Sequence, residues 1–244
     1  MNTTTEVAGP RGEIQVVSRL AALLECITAD SPSMDIQRAA DVLGVGRSTA
    51  HRYLASMERS GLLAKDPSSK YVLGPVMVRL GAIAFSGSGL VDAAAPIMRA
   101  LASEILGTVV LGVWGGQSPV VARVERNTTQ TTSVAVDVGR SLGPESAQSL
   151  LFAAFEARRS GRPHGQEGVS TYEFQEDGVR EETLVARHTY AEGALKVVAV
   201  PVLTRGGDIA ATLAVLGFGV SLPDTDDDTL IRRLVVAARE LRTS

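Results

Sequence analysis

The sequence predicts an α+β protein in two parts: a small module of helices closed by a short hairpin, then a larger domain containing an antiparallel sheet. Three observations point there. In the first 60 residues apolar side chains recur at helical spacing in three short blocks, separated by Ser31-Pro32-Ser33 and by Gly44. Beyond residue 90 the runs become strand-like and pair across turns such as Gly115-Gly116-Gln117 and Arg205-Gly206-Gly207-Asp208. The 244 residues are 45% apolar and 21% charged, which supports a real core and excludes disorder along the whole chain.

Residues 1–12 read as a disordered polar tail, without the apolar stretch of a secretory signal. Ile14, Val17, Leu20, Leu23, Leu24 and Ile27 then mark an amphipathic helix. A second helix spans Asp35 to Leu43, with Asp35 as N-cap and Gly44 as its C-terminal stop. The third runs from about Arg47 to Arg59 with Ala50, Leu54 and Met57 inward, and stops at Ser60-Gly61. Leu62 to Lys65 and Lys70 to Leu73 flank Asp66-Pro67-Ser68-Ser69, a hairpin signal. Three helices and a hairpin over residues 13–75, with a tight glycine turn between helices two and three, describe a winged helix-turn-helix.

Pro75 opens a linker helix over 76–89 that ends in the hinge Ser86-Gly87-Ser88-Gly89. Its apolar residues Val76, Met77, Leu80 and Ile83 are candidates for a seam with a second subunit. Residues 90–244 form the second domain. Leu90 to Leu106 is helical; Thr108 to Trp114, Val120 to Val124 and Ser133 to Val138 are strands; Ser146 to Arg159 is a helix. Residues 160–182 are polar and glycine-rich and are left unassigned. Leu195 to Leu203 and Ile209 to Phe218 are strands, and Asp224 to Arg242 is a closing helix. The helices are expected on one side of the sheet.

The net charge of −3 conceals an asymmetry. Within residues 46–80, Arg47, Arg52, Arg59, Lys65, Lys70 and Arg79 oppose only Glu58 and Asp66, a local excess of +4. The first two turns of the third helix carry Arg47, Ser48, Thr49, His51, Arg52 and Tyr53, the donor-rich set that a recognition helix presents to base edges. Lys65, Ser69 and Lys70 are the wing candidates for phosphate contact. The expected partner is therefore double-stranded DNA.

Other chemistries find little footing. The lone Cys26 reads as a small core residue and suits a reducing compartment, hence a cytoplasmic protein. No apolar run reaches the roughly 20 residues that span a bilayer. His51, His164 and His188 are too scattered for a metal site, and no cofactor motif is present. Asp224, Asp226, Asp227 and Asp228 precede a helix, whose positive end accounts for them. The rival class, a hydrolase-like enzyme with a regulatory DNA-binding appendage, lacks an acid, base and nucleophile constellation.

The chain resembles the IclR family of bacterial transcription regulators from about residue 13 onward. The resemblance rests on Ile36-Gln37-Arg38-Ala39-Ala40-Asp41-Val42-Leu43-Gly44-Val45, on Arg47-Ser48-Thr49-Ala50-His51-Arg52-Tyr53-Leu54, and on Glu58 with Gly61-Leu62-Leu63. Ser18-Arg19-Leu20 and Tyr71-Val72-Leu73-Gly74 fit as well, and Arg19 thereby joins the candidates for DNA contact. The resemblance implies a non-enzymatic regulator, more often a repressor than an activator. It would act as a homodimer or homotetramer on a palindromic operator and respond to a small effector in the second domain.

By the same resemblance, the family's carboxylate-binding loop corresponds to Leu142-Gly143-Pro144-Glu145-Ser146-Ala147-Gln148-Ser149, with Ser146, Ala147 and Gln148 facing the effector. The family commonly has a histidine near Glu145 and a Gly-Lys pair at Ser149-Leu150. An acidic pocket residue falls in the stretch ahead of Glu192, and Glu192 is carried as its candidate. Val197, Ala214 and Leu216 stand where carboxylate-sensing members have polar groups. With Leu111 and Trp114 as further candidates for the wall, these residues imply a pocket polar at one end and apolar on its floor. Such a pocket suits an aromatic acid or related compound.

Overall fold

The computed structural model describes residues 14–242 apart from 29–30, 87–88, 106, 128–133, 163–166, 177–178, 191–193 and 219–226. It divides into two compact units, 1–84 and 85–244. The expected tail, Glu192, and Asp224 and Asp226 of the acidic run ahead of the last helix lie outside the described residues, as do Gly87 and Ser88 of the expected hinge.

The first unit contains α1 (Gln15–Glu25), α2 (Ile36–Leu43), α3 (Arg47–Arg59), β1 (Leu63–Lys65), β2 (Tyr71–Leu73) and all but the last two residues of α4 (Pro75–Ser86). Leu23, Met34, Ala39, Ala40, Ala50, Leu54, Met57, Leu63 and Tyr71 make its core, one contribution or more from each of α1, α2, α3 and the hairpin. The stripe of α1 is spent unevenly: Leu23 is buried, whereas Ile14 and Val17 are exposed. Cys26 packs against the core, partly buried.

Asp35 caps α2, its side chain accepting from the Arg38 N–H at 2.8 Å. Gly44 ends that helix at φ +62°, which lets the chain turn at once into α3. Asp35→Ala should cost about 1 kcal/mol, read as a lowered melting transition of this unit. The hairpin pairs Leu63 with Leu73 and Lys65 with Tyr71. A bridge from Tyr71 to Met34 adds a third extended segment that periodicity had not suggested.

The second unit contains α5 (Leu90–Ile105), β3 (Thr108–Trp114), β4 (Pro119–Arg126), α6 (Ala147–Arg159), β5 (Val169–Glu176), β6 (Val179–Tyr190), β7 (Leu195–Leu203), β8 (Ile209–Phe218) and α7 (Asp228–Glu240). The sheet is antiparallel, in the order β4-β3-β8-β7-β6-β5. Its strands alternate between two apolar cores. Leu111, Val198, Val200, Leu213 and Val215 meet α5 and α7, whereas Leu184, Ala186, Val197, Ala199 and Ala214 meet α6. The helices thus cover both faces, which corrects the expectation of one side. The β7 and β8 runs are apolar on both faces because both are covered.

Two further expectations change. Residues 134–137 are not a strand in the sheet. The carbonyls of Val134 and Val136 accept from the side chains of Thr108 and Arg126. The edge of β4 pairs with the following segment instead, Val120 bridging Ser141; Ser133 lies outside the described residues. Within the unassigned 160–182 stretch, β5 begins the hairpin β5–β6 that finishes the sheet. Among the described residues, no helix is long and apolar enough to cross a membrane.

Candidate nucleic-acid interface and ligand cavity

In α3, Ala50, Leu54 and Met57 are buried, so the helix presents its opposite side to solvent. Advancing about 100° per residue places Ser48, Arg52, Ser56 and Arg59 on that side. Arg47, Ser48, Thr49, His51 and Arg52 are all exposed. Arg47 sits on the flank toward α2, its guanidinium donating to Gln37 Oε1 at 3.3 Å. Ser56, Arg59 and Gln37 are not among the contact residues expected from the sequence, although helical spacing from Arg52 points to the first two.

Besides Arg47, three of the predicted contact residues, Arg19, Tyr53 and Lys65, are engaged within the protein. Arg19 donates to the Tyr53 hydroxyl at 3.1 Å and lies 6.0 Å from its ring centroid, so this pair holds α1 against α3. Lys65 meets Glu58 at 3.3 Å and stands over the Tyr71 ring at 5.3 Å, clamping the hairpin to the end of α3. The hydrogen bond to Glu58, then the Tyr71 hydroxyl, raise the Lys65 pKa and keep it a cation. Ser69 and Lys70 remain at the exposed tip. There the Asp66 carboxylate accepts from the N–H groups of Ser68 and Lys70 and fixes the turn, with Ser69 at φ +61°.

In the second unit, Ser146, Ala147, Gln148, Val197 and Leu216 converge on a cavity of about 500 Å3 at the start of α6. Leu111 does not reach it, because its side chain lies on the α5–α7 face of the sheet. Ala214 is fully buried beneath α6, and Trp114 lines a different cavity. The floor is apolar, from Val110, Val197 and Leu216. Arg140, Glu145 and Tyr190 bring the polar groups, and Arg140 and Tyr190 were not anticipated. Burial, then the Glu145 charge, raise the Tyr190 pKa, so its hydroxyl keeps its proton and can donate. Its ring leans on His188 at 4.2 Å.

The loop into α6 is locked from within. Ser146 caps the helix: its Oγ accepts from the Ser149 N–H at 3.2 Å and donates to Ser149 Oγ at 2.8 Å. Ser149 Oγ in turn donates to the Gly143 carbonyl at 2.8 Å. Gln148, almost fully buried, donates to the carbonyls of Val110 and Thr212, both at 3.4 Å. Gly112 makes room for it, since a Cβ there would stand 2.9 Å from Gln148 Nε2. The first N–H groups of a helix lack intrahelical acceptors and carry partial positive charge, so a carboxylate is favoured at this end of the cavity.

A winged helix-turn-helix with an exposed basic face, followed by a sheet domain that holds a cavity, defines a two-domain protein of the helix-turn-helix class. Residues 16–67 match the profile of the IclR helix-turn-helix domain. The chain is 28% identical over 117 residues to the HTH-type transcriptional regulator TtgV of Pseudomonas putida. That match covers 48% of this chain and 44% of TtgV, so it spans less than half of that relative's length. Its fold is shared with an IclR transcriptional regulator of Silicibacter sp. TM1040, at TM-score 0.73 and 17% identity over 93% of this chain and 94% of the other. It is also shared with an IclR homolog of Microbacterium hydrocarbonoxydans complexed with 4-hydroxybenzoate, at TM-score 0.66 and 19% identity over 93% and 97% of the two chains.

Proposed function

We propose that this protein is a sequence-specific transcription regulator, a repressor, that releases or rearranges on DNA when a small aromatic acid enters the cavity at the start of α6. Residues 13–75 serve as the DNA reader, 76–89 as the linker and 90–244 as the sensor. The protein works as a homodimer or homotetramer on a palindromic operator, without catalysis. The observation that carries this reading is the exposed face of α3, where Ser48 and Arg52 project opposite the buried Ala50 and Leu54.

The cavity supports the effector class. Its floor suits an aromatic ring, Arg140 and the α6 terminus suit a carboxylate, and Tyr190 offers a hydroxyl. The 4-hydroxybenzoate bound by the Microbacterium hydrocarbonoxydans homolog has this chemistry. The effector shifts the DNA-binding equilibrium by no more than its preference between the two states.

Footprinting and gel-shift titration on the DNA flanking its own gene, with and without 4-hydroxybenzoate, test both halves. Arg52→Ala should cost about 1–3 kcal/mol of operator affinity and relax specificity, while Lys70→Ala should lower the salt slope by about 1. Unchanged affinity in Arg52→Ala and Arg47→Ala together would reject α3 as the reading helix. Leu216→Glu should abolish the response to 4-hydroxybenzoate while leaving operator binding intact, because a carboxylate on the floor repels the ligand.

A further inference from the structure

The unit 85–244 holds a second and larger cavity, about 980 Å3, on the same face of the sheet. It opens between the β3–β4 turn, the β7–β8 turn and the outer flank of α6. Of the residues lining the two cavities, only Pro144 belongs to both.

Trp114 forms its wall at the end of β3, 52% exposed although its ring centroid lies 5.3 Å from that of Phe152. Phe155 adds a third aromatic ring, with Ile209 and Pro119 completing the apolar lining. The charges lie among these rings. The lining carries two carboxylates, Glu156 and Asp208, and one guanidinium, Arg159, which pairs with Glu156 at 3.1 Å, leaving one carboxylate in excess. Aromatic faces attract cations through their quadrupole, tryptophan most strongly, and a nearby carboxylate adds to that attraction. An organic anion would meet Glu156 and Asp208 instead.

We propose that this cavity is a second ligand site, selective for a flat aromatic cation. The ring of such a ligand lies against Trp114 and Phe152, and its charge faces Asp208. Ala153, an exposed residue of α6, lines the cavity and gives a way to close it without touching the core.

Trp114 is the sole tryptophan of the chain, so its fluorescence reports occupancy directly. Titration of the full-length protein with benzyltrimethylammonium should quench it saturably. The uncharged isostere neopentylbenzene should bind at least ten-fold more weakly. Ala153→Arg should abolish the quenching, and Asp208→Asn should weaken the cation about ten-fold while leaving the neutral compound unchanged. Calorimetric binding of 4-hydroxybenzoate should persist in both variants. Equal affinity for the two probes, quenching that survives Ala153→Arg, or the absence of saturable quenching in the wild type would overturn the proposal.

Discussion

With glutamate placed at Leu80 and Ile83, the protein is expected to run as a monomer at micromolar concentration and to lose about a thousand-fold in operator affinity. Helix α4 carries one charged residue, Arg79, among twelve, and is apolar nearly all round. Its Val78, Leu80 and Ile83 are 65%, 50% and 60% exposed. A helix of that composition is stable when covered, and an isologous contact with a second copy covers it most simply. Leu80 and Ile83, three apart, share a face. Two like charges there would face two more across the seam. Pairing two readers through one seam makes the second half-site contact intramolecular, worth about 10²–10⁴ in affinity, which is what the variant forfeits. Light scattering and gel shift read the two effects. A wild-type protein that is monomeric at micromolar concentration would rule out the seam. Val76 and Met77 suit the contact less than the sequence suggested, because both are partly buried within the first unit.

Gly74→Ala is expected to destabilise the reader by about 3 kcal/mol or more and to leave the sensor intact. A Cβ at that position would stand 2.3 Å from the Gly61 carbonyl oxygen and 2.7 Å from that of Leu63. Both obstacles are backbone, held by the hydrogen bonds from Gly74 N–H to Leu62 and from Val76 N–H to Gly61, so neither swings aside. The hairpin would part from the end of α3, and with it the wing. Calorimetry should show one transition lowered and the other unchanged, with DNA binding lost and 4-hydroxybenzoate binding retained. Gly81→Ala is the matched control: nothing lies within 4 Å, and replacing a helical glycine should stabilise by about 0.5–1 kcal/mol.

The reader was legible because its determinants are local. Asp35, Gly44, Gly61 and the 3.6-residue spacing each specify a boundary within a few residues of themselves. The strands β7 and β8 were equally plain, since burial on both faces makes them continuous apolar runs. The hairpin β5–β6 was not, although Tyr172 and Phe174 alternate with exposed Thr171, Glu173 and Gln175 in strand fashion. Its polar composition suits an edge and mimics a loop. The cavity was legible where it follows one segment, Ser146 to Gln148. It was not where it depends on which way a strand faces. Leu111 and Trp114 both belong to β3, yet one is buried against α5 and α7 and the other packs at a tilt against Phe152. The pairings of Arg19 with Tyr53 and of Lys65 with Glu58 are likewise tertiary, and composition alone counts such cations as free.

The pairing of β3 with β8 joins Gly112 to Thr212, positions separated by 100 residues. Contacts so distant in sequence are slow to form, because a long loop must close before they reward it. During synthesis the reader emerges first with its short-range contacts complete, and can fold on its own schedule. The ligand cavity combines Val110 of β3, Val197 of β7 and Leu216 of β8, so it comes into being only with the last strand. A nascent chain, or one truncated by a premature stop, would therefore carry the helix-turn-helix before it carries the cavity.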